Sequence, residues 1–241
     1  MIQLAEEHVN YTSGKTPLTG AFIYDVHAPR PMPGIVMAPN MMGITASNIA
    51  HAERLASEGY AVLVADLYGV APSSSDEASS LMHALKDSPE ERYRMRAALK
   101  QLSSDPRVDG NKIAAVGFCY GGHCVLELAR SGVAIRAVFS VHGTLDTLSP
   151  AKKGQLPAKV VVLNGAADPF VSAEQIGDFS KEMAAAEADF MFINYRGAVH
   201  SFTYPRADVT GKMEYNENIS NRAFNTILGE LHRAYYRMPT A

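Results

Sequence analysis

Short, nearly unbroken apolar runs recur along the chain, at 34–38, 61–65, 113–117, 135–141, 160–163 and 190–193. A strand without polar alternation must be buried on both faces, which suits the centre of a parallel sheet. Segments of helical period lie between or after the runs, at 47–57, 89–102, 120–130, 173–186 and 220–237. Strand–helix alternation of this kind restricts the chain to an α/β fold: a mostly parallel central sheet flanked by helices on both faces. Residues 8–12 and 18–26 read as two antiparallel strands that precede it. No repeat or long linker divides the pattern, so residues 1–241 are read as a single domain. Ser47 is the expected N-cap of the first helix. Ser88, followed by Pro89, Glu90 and Glu91, is a stronger start signal for the second. The stretch 68–87, with Pro72 and a serine run, is read as a partial lid.

Composition narrows the function. Apolar residues make up 47% of the 241, enough for a large core, and the net charge is −3. That balance offers no surface for nucleic acid or an anionic membrane. No apolar stretch approaches the ~20 residues of a membrane-spanning helix. The N-terminus lacks the basic start and apolar segment of a signal peptide. The only two cysteines, Cys119 and Cys124, are five residues apart on one turn-and-helix element. Side chains at that spacing do not face each other, so both are expected as free thiols in a cytoplasmic protein.

In open parallel sheets, ligands bind beyond the carboxyl ends of the strands. There the chain places Asn40, Asp66, Cys119, His142, Asp168 and His200. Gly117-Phe118-Cys119-Tyr120-Gly121 is a G-x-S-x-G nucleophile elbow with cysteine in place of serine. The strand-to-helix turn is so sharp that a Cβ at either glycine would collide with its neighbours. The residue at its tip gains the positive end of the helix dipole and free backbone N–H groups, which favour a thiolate and an oxyanion. No G-K-[ST] follows, so a phosphate-binding loop is disfavoured. A nucleophile needs a base, and the base an orienting acid. Asp168, in a turn before Pro169, and His200, in the loop after the last strand, follow in the order this kind of elbow requires. His142 ends a strand on the same side and is read either as pocket lining or as packing.

With GFCYGGH at 117–123, NGAADPFV at 164–171, AVHSFTYP at 198–205, PGIVMAPNMMG at 33–43 and ADLYG at 65–69, the sequence resembles the dienelactone hydrolase family of α/β-hydrolases over nearly its whole length. The resemblance implies a Cys119–His200–Asp168 triad and an oxyanion hole from the backbone N–H groups of Met41 and Tyr120. It implies a small ester or lactone as substrate, hydrolysed through a thioester, with no cofactor or metal. Two departures bear on that substrate. Family members acting on dienelactone carry a glutamate that helps activate the thiol, where this chain has Asn40. The arginines that hold the substrate carboxylate are missing or displaced, with Tyr204 near one expected place and Arg206 beyond it. Asn40, Tyr68, His142, Tyr204 and Arg206 are the expected pocket residues.

Two other readings use the same residues. A redox-active thiol protein would need a resolving thiol, for which Cys124 is the only candidate. A binding protein on a degenerate scaffold would not need all three of Cys119, Asp168 and His200. Arg92, Arg94 and Arg96 follow on one helix and are read as a solvated face.

Overall fold

The computed structural model describes residues 1–236. Its centre is an eight-stranded sheet. Along the chain the strands are β1 (Leu4–Ser13), β2 (Thr16–Asp25), β3 (Met32–Ala38), β4 (Ala61–Val64), β5 (Val108–Phe118), β6 (Ala137–Val141), β7 (Lys159–Gly165) and β8 (Phe190–Tyr195). In space they run β1-β2-β4-β3-β5-β6-β7-β8. β1, β2 and β4 pair antiparallel, and every pairing from β4 through β8 is parallel. The antiparallel start and the parallel centre are as the sequence predicts.

The apolar runs of the central strands are buried on both sides because each of those strands feeds two cores; the run at 190–193, on the edge strand β8, is only half-buried. Val36, Ala38 and Ala115 face a core closed by α3 (Pro89–Ser103), α4 (Tyr120–Arg130) and α5 (Ala173–Ala185). Ile35, Met37, Ala114 and Val116 face the other, closed by α1 (Ala46–Ala56) and α6 (Glu217–Tyr236). Full burial of each Val, Leu or Ile side chain contributes about 1.5–3 kcal/mol, so the paired cores carry most of the stability. The helix α4 is buried on every face, Tyr120 through Arg130. It therefore reads as apolar on every face except for His123 and for Glu127 and Arg130, which pair with each other.

Four local readings change. The first helix begins at Ala46 with Thr45, not Ser47, as its N-cap, and Ser47 lies in the first turn. Ser88 is the N-cap of α3 with Pro89 behind it, but its hydroxyl donates back to Leu85 O at 2.6 Å instead of capping. The lid segment contains a further helix, α2 (Ser75–Leu85). Ser74 caps it by accepting from Glu77 N–H, a Ser-x-x-Glu start present in the sequence but hidden among serines. Finally, the α3 arginines are not free in solvent. Arg92 binds Glu127 at 2.6 Å, Arg94 donates to Leu67 O, and Arg96 to Ser131. A small ribbon, β9 (Asp208–Val209) with β10 (Met213–Glu214), follows the histidine loop. Arg237, the last residue of the predicted final helix, lies outside the described residues. Among those described, no helix is long and apolar enough to cross a membrane.

Candidate active site

β5 ends at Phe118 and α4 starts at Tyr120, leaving Cys119 alone in the turn with φ 56° and ψ −122°. The glycines explain how the chain passes. A Cβ on Gly117 would lie 1.9 Å from Gly121 O, and one on Gly121 would lie 2.1 Å from Ala38 O. Both are backbone atoms that cannot yield. Cys119 N–H is held by Val141 O at 3.0 Å and by His142 Nδ1 at 3.1 Å. Its thiol stays partly exposed, whereas Cys124 is buried, and both are free.

The three predicted side chains converge on that thiol. His200 Nε2 lies 3.0 Å from Cys119 Sγ, and His200 Nδ1–H donates to Asp168 Oδ2 at 2.8 Å. Asp168 Oδ1 accepts the Phe170 N–H at 2.9 Å, which fixes the carboxylate. His200 itself is anchored through its backbone, donating to Lys212 O and accepting from Glu214 N–H. The ribbon β9–β10 thus fixes the histidine loop.

Burial works against charge on both members of the pair, yet both shifts run the other way. Burial alone would raise the Cys119 thiol; the His200 imidazole and the N–H groups of Tyr120 and Met41 overcome it and hold the thiol below its ordinary range. Burial alone would lower His200; the adjacent thiolate and Asp168 carboxylate push it up to about 10. Each shift moves the pair toward its thiolate–imidazolium form. The same two N–H groups, Tyr120 and Met41, face the sulfur, which is where an oxyanion hole must point.

The remaining predicted residues surround this centre in different capacities. Asn40 lies in the loop that carries Met41. Its Oδ1 accepts from Met42 N–H at 3.0 Å, so its carboxamide is committed to the loop. Tyr68 and Tyr204 are buried braces: Tyr68 donates to Met41 O at 3.0 Å, and Tyr204 donates to Asn48 Oδ1 at 2.8 Å. His142 takes the packing alternative. It is wholly buried, its Nδ1 accepts the Cys119 N–H, and its Nε2–H therefore donates to Thr203 Oγ1 at 2.9 Å. Burial, then the neighbouring His200 charge, drive its pKa well down, so it stays neutral. Arg206 is exposed and lines, with Asn40, Ser201 and Tyr204, a groove of about 350 Å³.

Three residues escaped the sequence reading. Asn48, on α1 and fully buried, donates to Gly43 O at 2.9 Å and Thr45 Oγ1 at 3.0 Å, clasping the Met41 loop. Thr203 receives both His142 and His51, the latter donating to its carbonyl at 3.0 Å. Phe170 is 46% exposed and stands edge-on to His200 at 5.0 Å between ring centroids. Phe170 alone left a signal, as an aromatic residue two positions after Asp168 in the strand-end loop.

Comparison with known proteins follows from this geometry. The sequence signature of the dienelactone hydrolase family matches residues 19–234. Among solved structures, m3DLH superposes with a TM-score of 0.90 at 32% identity, over 96% of this chain and 99% of that one. A dienelactone hydrolase-like promiscuous phosphotriesterase, P91, from metagenomic libraries superposes with a TM-score of 0.88 at 33% identity over the same shares. A Caenorhabditis elegans protein named only as uncharacterized, K02A2.1, is 38% identical over 146 residues, 59% of this chain and 92% of that one. Elbow, strand order and sequence signature agree: the chain belongs to the dienelactone hydrolase family, as a hydrolase of the carboxylic ester and lactone class.

Proposed function

We propose that the chain is a cysteine-nucleophile hydrolase of small esters or lactones, acting through Cys119, His200 and Asp168. The observation that carries this is the unbroken relay from sulfur to imidazole to carboxylate, at 3.0 and 2.8 Å, on a strained elbow. The Cys119 thiolate attacks the carbonyl carbon, and the C=O electron pair moves to oxygen. The Met41 and Tyr120 N–H groups bind that oxyanion; loss of one such donor typically costs about 10²–10³ in rate. The intermediate collapses by breaking the C–O bond, and imidazolium His200 gives its proton to the leaving alkoxide. Neutral His200 then takes a proton from water, which attacks the thioester. Collapse breaks the C–S bond and releases the acid and the Cys119 thiolate, while His200 keeps the proton taken from water, so the ion pair is restored. Asp168 holds the imidazole in the Nδ1–H tautomer and stabilises its cation throughout. These steps use only groups of this chain.

Asn40 cannot take a proton, so His200 is the sole base at the thiol. The substrate is therefore one whose carbonyl can be attacked without a second base at the thiol. The resolving-thiol alternative is disfavoured because Cys124 is buried with its thiol on Glu91, away from solvent.

The test compares wild type and Cys119→Ala on p-nitrophenyl acetate, a simple lactone, a dienelactone and an aryl phosphotriester, the last because one relative is named for it. Turnover by the wild type that the alanine variant loses, with an acyl adduct on the Cys119 peptide by mass spectrometry, is the expected result. Turnover undiminished in Cys119→Ala refutes the assignment of the nucleophile.

A further inference from the structure

The elbow helix carries a second group of reactive side chains that the proposed chemistry does not use. His123, four residues beyond Cys119, is 0% exposed, and neither of its ring nitrogens has a hydrogen-bond partner. Leaving such a polar group unsatisfied costs about 1–3 kcal/mol. Its Nε2 lies 3.4 Å from Glu91 Oε2 and 3.7 Å from Asp87 Oδ1, in neither case with hydrogen-bond geometry. Asp87 Oδ1 is also buried without a partner.

The carboxylates are held in place by their neighbours: Glu91 Oε1 accepts from the Cys124 thiol, Asp87 Oδ2 meets Lys86 Nζ at 3.2 Å, and Glu91 Oε2, the oxygen nearest His123, also accepts the Asp87 N–H at 3.0 Å. Lys86 is shared with Asp146. One oxygen from each carboxylate and one imidazole nitrogen therefore turn toward common ground. Among the described residues this is the one such group, its three ligand atoms all within 4.8 Å of one another. Zinc bonds of about 2.0–2.1 Å place tetrahedral ligands roughly 3.3–3.4 Å apart. The two measured edges, 3.4 and 3.7 Å, are close to that spacing. A nitrogen with two carboxylate oxygens suits zinc-class ions, whereas calcium and magnesium favour oxygen alone.

We propose that Asp87, Glu91 and His123 form a binding site for a zinc-class divalent cation, with a fourth position left to water. Asp87 also lines a groove of about 470 Å³ with Ser88, Pro89 and Arg92, so this residue stands between the buried cluster and that groove. Asp87 holds a φ of 63°, a conformation aspartate and asparagine tolerate better than other side chains. The ion would tie the start of α3 to the elbow helix one turn past the nucleophile. This assignment does not depend on the proposed reaction.

Because a thiolate also binds zinc, the experiment uses the full chain with Cys119→Ala. Equilibrium dialysis against Zn²⁺, with bound metal counted by mass spectrometry, should retain one ion per chain. Adding Asp87→Asn, which keeps the positive φ, or Glu91→Gln should each weaken binding at least ~10-fold, the loss that even a supporting group's removal produces. Circular dichroism checks that both variants fold. No retention at micromolar free zinc, or retention that neither substitution changes, overturns the proposal.

Discussion

At Cys119 the backbone, the dipole of α4 and His200 all act on one sulfur. The positive φ is tolerated because the strand before and the helix after are fixed by their own hydrogen bonds, so the strain is met by surrounding structure. The charge state has a testable sign. A thiol held below its ordinary value becomes thiolate at a lower pH than a free cysteine, and loses that charge as pH falls through the lowered value. Iodoacetamide should therefore alkylate Cys119 well below pH 9, while Cys124, pushed up by burial and by Glu91, stays unlabelled. His200→Ala removes the cation that counters burial, so the alkylation midpoint should move upward. A midpoint unchanged in that variant, followed by mass spectrometry against pH, would show the imidazole has no part in ionising the thiol.

At the scale of elements, reactivity depends on three loops meeting over the elbow. The Met41 loop is clasped by Asn48 from α1, which also receives Tyr204 from the histidine loop. Asn48→Ala should leave the fold in place but let Met41 N–H drift. Misplacement by about 1 Å costs up to roughly 10²-fold, so kcat for an ester should fall by one to two orders with little change in KM. The elbow itself has no such tolerance. Gly121→Ala drives a methyl into Ala38 O and should destabilise the chain by more than the ~1–3 kcal/mol of ordinary overpacking, read as a lower urea midpoint. A stable, soluble Gly121→Ala chain would contradict the close approach of α4 to β3.

Across the whole molecule, one buried ionic network joins elements distant in sequence. Arg130, 1% exposed in its side chain, makes a two-pronged contact with Glu182 of α5 at 2.9 and 2.7 Å, binds Glu127 at 2.9 Å and donates to Leu145 O. Glu127 in turn holds Arg92 of α3. Removing the central cation leaves buried carboxylates uncompensated, which typically costs about 3–5 kcal/mol. Arg130→Ala should lower the denaturation midpoint accordingly, while Arg130→Met should recover part of it through packing. Equal loss in both would assign the whole effect to charge.

The sequence by itself determined the class of fold, because strands without polar alternation can be buried only between two layers of helices. It determined the elbow as well, since two glycines flanking a strand-to-helix tip are a local steric requirement. The order of Cys119, Asp168 and His200 was legible because each follows a strand, and parallel strands bring their carboxyl ends to one edge. Only the tertiary structure decided what depends on side chains remote in sequence. His142 could have faced the pocket or the core until β6 packed it behind the elbow against Thr203. The arginines of α3 gained partners only when α4 docked beside them. Asn48 left no signal, since a buried amide on a helix becomes a clasp only when the Met41 loop folds over it. Local sterics and periodicity act within a few residues and are written in order along the chain. Hydrogen bonds between distant elements exist only once the two cores have closed.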